Sequence, residues 1–227
     1  MAGTDGNLGR QLPSGQHTYA LAASLAGLAG WVDAIALVQW HLYVSFMSGN
    51  STAIGASASA TNWPTFLNVS GVLVAFIFGV VSGELLSRAG RVQYGSLVLL
   101  IEALLLGIAS GLTYLRVAAA LPVLLLAIAM GIQNASVHRA GGISVALTYV
   151  TGTLVHAGRA LAAALAGDGS WRSALPYLGL WLSLIGGAVA GAVLAQHSVP
   201  GAIGLGGLFA LSLAATSAAG IGLTGNE

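Results

Sequence analysis

Residues 66–87 read FLNVSGVLVAFIFGVVSGELLS, an unbroken apolar and small-residue run whose one charge, Glu84, lies near its end. About 20 mostly apolar residues suffice to cross the hydrocarbon of a bilayer. A helix buried in a soluble core is usually shorter, and a surface helix keeps a polar stripe. This run has neither property, so it predicts a membrane-spanning helix. The same reading finds seven further segments, at 18–39, 42–60, 92–115, 117–136, 143–166, 174–196 and 201–221. Between them stand suitable breaks: Asn62-Trp63-Pro64, Arg88 to Arg91, Arg116, His138-Arg139, Asp168 to Arg172, and His197 to Pro200. Trp63, Tyr94, Tyr114 and Trp171 lie beside these breaks, as expected of rings at the membrane–water boundary. Segment 42–60 is the weakest, because its second half is Ala, Ser and Thr with a single Ile, which suits a short or re-entrant helix.

Composition agrees. Of 227 residues, 7 are basic and 6 acidic, or 6% charged, against 56% apolar and 33 glycines. A soluble domain carries roughly 25% charged residues, and 13 charges cannot cover the surface of one this size. Every basic residue is an arginine, and the net charge is +1, so no polybasic tract offers a nucleic-acid surface. The absence of cysteine removes disulfides, thiol nucleophiles and thiolate metal sites. Residues 1–17 are polar and Gly/Gln-rich and are expected to form a disordered leader, with a short tail at 223–227. Ala58-Ser59-Ala60 resembles a signal-peptidase site. A secretory apolar core, however, is only about 7–15 residues long with its cleavage site close behind, so 18–39 is read as a spanning helix.

The chain repeats itself at an interval of about 100–108 residues. Gly30-Trp31-Val32-Asp33 matches Gly131-Ile132-Gln133-Asn134, Ser48-Gly49-Asn50 matches Thr151-Gly152-Thr153, and Gly79-x-x-x-Gly83 matches Gly187-x-x-x-Gly191. The halves are expected at 18–115 and 116–222. The fold class is therefore all-α, a polytopic bundle of two homologous halves with six to eight membrane segments. Broken or re-entrant segments are expected near Ser48-Gly49-Asn50 and Thr151-Gly152-Thr153. Eight full crossings would divide the arginines evenly between the two sides. Six would place Arg10, Arg88, Arg91 and Arg172 opposite Arg116 alone, with inverted repeats, and seven would also give a bias. Six or seven is preferred to eight.

Matched interruptions in two repeats point to a transport site, because irregular backbone is tolerated in a membrane only when buried or lining a cavity. Ser48 or Thr151 can cap the half-helix that follows and leave N–H groups free for a ligand; a packing notch is the structural alternative. Asp33, Ser48, Asn50, Gln133, Asn134, Tyr149, Thr151 and Thr153 are the candidate substrate-binding residues. Asp33, Asn50, Asn134 and Thr151 are expected to face one interior space. Asp33 on its small-residue helix face costs on the order of 2.5–3.5 kcal/mol to insert and is both a site and a proton-coupling candidate. Glu102 is the second coupling candidate, since a carboxyl among Val98, Leu99, Leu105 and Leu106 changes charge only with a proton. Glu84 and Arg88 have the spacing of a structural ion pair. Arg159 and His156 are candidate ion-pair partners for Asp33 or Glu102.

Gly30-x-x-Asp33 with a following Ser-Gly-Asn, Ala129-Met130-Gly131-x-Gln133-Asn134 and Thr148-Tyr149-Val150-Thr151-Gly152-Thr153 together resemble the YoaK-like family of bacterial inner-membrane proteins. The likeness covers about 18–221, with Ser48 where threonine is usual and Leu147 in place of a threonine before Thr148. It implies a multi-pass protein of the inner membrane and supplies no substrate, cofactor or mechanism.

No His-x-x-x-His, Gly-x-Ser-x-Gly or Gly-Lys-Ser/Thr pattern occurs, so zinc, hydrolase and nucleotide chemistry have no motif here. The expectation is a non-enzymatic protein without cofactor or metal. It would move a small polar or planar solute as a secondary transporter or facilitator, coupled, if at all, through Asp33 or Glu102. The competing class is a non-transporting membrane module that binds a partner through small-residue helix faces. Beyond the lipid bilayer and the solute, the expected partner is a second copy of the chain, meeting it through Ala202, Gly206 and Ala210.

Overall fold

In the computed structural model, residues 13–88, 94–137 and 150–218 are described. They form eight α-helices: α1 (Pro13–Trp40), α2 (Met47–Ser59), α3 (Trp63–Arg88), α4 (Tyr94–Tyr114), α5 (Ala120–Val137), α6 (Val150–Leu165), α7 (Leu175–His197) and α8 (Val199–Ala218). A 3-10 turn, Trp171–Ala174, leads into α7. The described residues contain no strand, and the all-α reading holds. Five helical stretches are long and apolar enough to cross a membrane: Tyr19–Trp40, Trp63–Arg88, Gly95–Tyr114, Trp171–His197 and Val199–Ala218. The apolar stretch Ala120–Ala135 is shorter. This is a multi-pass membrane protein. Trp63, Tyr114 and Trp171 are exposed at helix ends, as belt residues should be.

Two differences from the sequence reading have local causes. The first helix begins at Pro13, so part of the expected leader is helical; residues 1–12 and the tail lie outside the described residues. Segment 42–60 is not one helix. The chain leaves α1 at His41 with φ 58, runs irregularly to Phe46, and re-forms a helix of 13 residues. At about 1.5 Å per residue, α2 is some 20 Å long, short of the roughly 30 Å hydrocarbon core.

Three helix pairs hold the bundle together: α1 with α7, α3 with α5, and α4 with α8. The first two cross through glycine. A Cβ on Gly30 would run into the Leu184 carbonyl, one on Gly187 into that of Gly27, and one on Gly191 into the backbone of Trp31. In the other pair, Gly131 meets the Phe76 carbonyl, Gly79 that of Ile128, and Gly83 the backbone of Ile132. These are the same three contacts twice. Gly27, Gly30 and Trp31 correspond to Ile128, Gly131 and Ile132 at a constant offset of 101; Phe76, Gly79 and Gly83 correspond to Leu184, Gly187 and Gly191 at 108. Between membrane helices, where lipid is as apolar as leucine, such backbone approach supplies the packing contacts that hold helices together.

The contacts also give directions. Tyr19 lies at Pro176 and Trp31 at Gly191, so α1 and α7 run parallel. Gly71 lies at Leu124 and Gly83 at Ile132, so α3 and α5 run parallel as well. Ser96 meets Ser217 at 3.1 Å while Ser110 donates to the Pro200 carbonyl at 2.7 Å, so α4 and α8 are antiparallel. Gly206 of α8 packs on Leu28 and Trp31, and the Trp31 indole N–H donates to the Ala202 carbonyl at 2.9 Å. Leu25 of α1 clusters with Ala214 of α8, which makes α1 and α8 antiparallel. α4 and α5 pack on each other across a connection of only five residues, 115–119, so they run antiparallel, and α1, α4 and α7 point one way and α3, α5 and α8 the other. Because α1 and α3 are opposed, α2 makes no net crossing.

The core is where these pairs meet. Leu28, Val32 and Ile35 of α1, Leu106 of α4, Leu126 and Met130 of α5, and Ile203 of α8 are fully buried. Outward, Val74, Ile77, Phe78, Val81 and Leu85 of α3 are exposed, as are Leu182, Ile185, Val189 and Val193 of α7. Apolar faces of this extent mark a membrane-facing surface.

Candidate functional site

The polar residues singled out from the sequence fall into three groups. The first surrounds the break after α1. Two turns before its end, Asp33 turns its carboxylate back onto the irregular segment. One oxygen accepts from the Val44 N–H at 2.7 Å and the Ser45 N–H at 2.8 Å, and the other from the Ser45 hydroxyl at 2.5 Å. Asn50, 1% exposed in the first turn of α2, completes the clamp. Its amide oxygen accepts from Tyr43 N–H at 3.2 Å and its amide nitrogen donates to the Tyr43 carbonyl at 2.6 Å. Gly49 is required here because a Cβ would strike the Phe46 ring, which packs edge-on against Tyr43 with centroids 5.2 Å apart. Backbone groups in an irregular membrane segment must find partners within the protein, and Asp33 and Asn50 supply them.

Ser48 does not cap the half-helix, contrary to expectation. The helix opens earlier, at Met47, with Phe46 in the capping position and no side-chain cap. Ser48 is exposed within the first turn, in line with Ser51 and Thr52, whose hydroxyls return to the carbonyls of Met47 and Ser48.

The second group comprises residues near the end of α5 and in the first turn of α6, two helices whose described residues do not pack on each other. Gln133, 1% exposed, donates to the Leu25 carbonyl of α1 at 3.0 Å, and Asn134 donates to the Met130 carbonyl at 2.8 Å. Thr153 is buried and Thr151 exposed, repeating the pattern of Asn50 and Ser48. Gln133, Asn134 and Thr153 each have a further interaction partner. Tyr149 lies outside the described residues. The printed contacts of Asp33 and Asn50 run to residues 43–47 and those of Gln133 and Asn134 to Leu25 and Met130, and along α1 the Leu25 carbonyl lies eight residues, about 12 Å, before Asp33.

Glu102 forms the third group alone. It is 0% exposed, and neither carboxyl oxygen has a hydrogen-bond partner. Arg159 and His156 do not pair with it or with Asp33. Both are exposed on α6, and the His156 ring stacks on Tyr177 with centroids 5.2 Å apart. The ion pair seen among the described residues is Arg88 with Glu84, at 2.9 Å, as its spacing requires. Among the described residues no group of three or more His, Asp or Glu side chains is placed to hold a metal ion.

Ser45 and the Leu25 carbonyl were not anticipated. Ser45 carries a weak signal, a small hydroxyl residue just beyond a helix that contains an isolated carboxylate. A backbone carbonyl carries none.

These features have counterparts in known sequences. A family described as a protein of unknown function, DUF1275, matches residues 21–216, nearly the whole described bundle. The chain belongs to the DUF1275 family. Two curated relatives are similar to it. The UPF0700 transmembrane protein RA0705 of Rhizobium meliloti (strain 1021) is 35% identical over 200 residues, covering 87% of this chain and 85% of the relative. The UPF0700 transmembrane protein YoaK of Bacillus subtilis (strain 168) is 30% identical over 141 residues, covering 59% and 63%. No solved structure matches. The YoaK-like resemblance read from the motifs thus holds, and the multi-pass architecture agrees with the transmembrane description of both relatives.

Proposed function

We propose that this DUF1275 protein is a secondary transporter or facilitator for a small polar or planar solute, built as an inverted duplication with three crossings in each half. One observation carries the reading. The α1–α7 and α5–α3 crossings repeat the same backbone contacts at constant offsets, while the equivalent helices α4 and α8 run antiparallel. A two-fold axis that relates antiparallel helices lies in the membrane plane. It places the half-helices α2 and α6 at opposite ends, each against its own long helix, α3 or α7. Short or broken helices in corresponding positions of inverted halves are the architecture around which transporters alternate. The hydroxyl-bearing face of α2 fits a polar solute.

Six crossings also arrange the arginines. Arg88 and Arg172 fall at one end and Arg116 at the other. By the positive-inside rule the end that carries Arg88 and Arg172 is the cytoplasmic one. Two experiments test the reading. Reporter fusions should place both termini and Gly169 in the cytoplasm and Asn62 outside. Proteoliposomes of the full chain should take up at least one member of a panel of labelled amino acids, amides and nucleobases faster than empty vesicles. A cytoplasmic Asn62 would sink the inversion, and a panel with no uptake would sink the transport reading.

Self-association has a different surface from the one first expected. Ala202, Gly206 and Ala210 are buried inside the protomer against α1 and α4, so they are unavailable to a second copy. Gly107 and Gly111 of α4 instead face open space, beside exposed Leu100, Leu104 and Ile108. This is the small-residue face on which a homodimer, or the alternative partner-binding role, would rest.

A further inference from the structure

Polar groups inside a membrane bundle are paired unless something else pairs with them in turn. The bundle obeys this rule closely: Asp33 is saturated by the 44–45 backbone and Ser45, Tyr19 donates to the Pro176 carbonyl, and Glu84 bonds Arg88. The Ser87 hydroxyl near the end of α3 departs from it, and so, with both of its oxygens, does Glu102. Its side chain is enclosed on the buried side of α4 with Val98, Leu99, Leu106 and Ala109, and both oxygens lack a partner. Among the described residues, no helix packed on α4 brings a charge to it. α5 and α8 contain no Asp, Glu, His, Lys, Arg or Tyr. α1 contributes Asp33 and Tyr19, both engaged elsewhere, and His17 in its opening turns. α3 contributes the Glu84–Arg88 pair at its far end, and α4 itself adds only Tyr94 and Tyr114 at its two ends.

We propose that Glu102 is the proton-binding site of this protein. The ligand is a proton rather than a metal ion because hard cations need six or more oxygen ligands, and here one carboxyl stands among hydrocarbon side chains. Charge balance is then simple. A proton from water at one side forms an O–H bond with the carboxylate and leaves a neutral acid that the bundle can enclose. Breaking that bond returns the proton to water at the other side. This rests on the transport reading in one respect only: if a solute is moved, the proton on Glu102 is its coupling ion.

The test separates the two claims. In full-length protein reconstituted in nanodiscs, infrared difference spectra between neutral and alkaline pH should show a protonated-carboxyl C=O band. Glu102→Gln should abolish it, while Glu84→Gln should retain it. Retention of the band in Glu102→Gln, or its absence from the wild type, overturns the proton site. In parallel, pyranine-loaded proteoliposomes are given an inward gradient of each labelled amino acid, amide and nucleobase. Wild-type vesicles should change internal pH with the transported solute, and Glu102→Gln vesicles should show at least a tenfold smaller proton flux. Equal flux in both overturns the coupling. A band that behaves as stated with no solute moving supports the proton site and overturns the transport reading instead. Glu102→Gln preserves shape and removes no hydrogen bond, so an unchanged melting temperature certifies the comparison.

Discussion

Asp33 and Glu102 are both carboxylates in apolar helices, yet their surroundings are opposite. Asp33 sits against a broken segment and receives three hydrogen bonds from it, whereas Glu102 sits inside unbroken helix with none. Charge inside a membrane thus serves two ends. At a helix break, unsatisfied N–H groups need an acceptor, and a carboxylate is the strongest available. Within a regular helix every backbone group is already paired, so a carboxylate there does nothing for the fold. Its presence calls for another explanation.

Stability measurements can break this contrast. The largest effect is expected for Asp33→Ala, which strands two backbone N–H groups and a hydroxyl in a buried setting. A loss of about 3 kcal/mol or more follows from unsatisfied donors, read as a collapse of the detergent melting temperature or of the folded yield. Were Asp33→Ala as stable as wild type, the clamp would be an incidental contact. Ser45→Ala sharpens the comparison by removing one donor and leaving the two N–H bonds. About 1 kcal/mol is expected, seen as a modest shift in the same melting curve. The smallest effect belongs to Glu102→Leu. Replacing an unpartnered buried carboxyl by an apolar side chain of similar size is neutral or mildly stabilising, within about 1 kcal/mol. A large loss on Glu102→Leu would show that Glu102 is structural and would erase the distinction.

The sequence made the helices plain because their signal is length and apolarity, and six of the eight expected segments coincide closely with α1, α3, α4, α5, α7 and α8. Segment 42–60 misled because its apolar residues continue across the break. What ends α1 is a left-handed His41 and a loop held by Asp33, and neither has a local hydrophobic signature. The matched glycines were visible, but their partners were not. That Gly79 meets Ile128 and Gly187 meets Gly27 depends on which helices cross, and periodicity within one helix carries no such information. The same limit applies to the polar residues. Asp33, Asn50, Asn134 and Thr151 were legible as anomalies, yet the backbone groups that Asp33, Asn50 and Asn134 engage follow from how the chain folds around them. Glu102 was legible as the deepest acid, and its isolation emerged only once α5 and α8 were seen to surround it without a charge.

The α1–α7 crossing has a consequence for how the chain is made. Tyr19 and its partner Pro176 are separated by 157 positions, so at a ribosomal rate of about 5–20 residues per second α1 waits roughly 8–30 s for α7 to be synthesised. The α3–α5 crossing closes over a far shorter stretch of chain and is completed first. During that interval α1 stands in the bilayer with Gly27, Gly30 and its neighbours uncovered, open to any other helix that offers a similar groove. Insertion of this protein is thus a race between its own seventh helix and its neighbours in the membrane, and slowed elongation ahead of Trp171 is the condition that favours the neighbours.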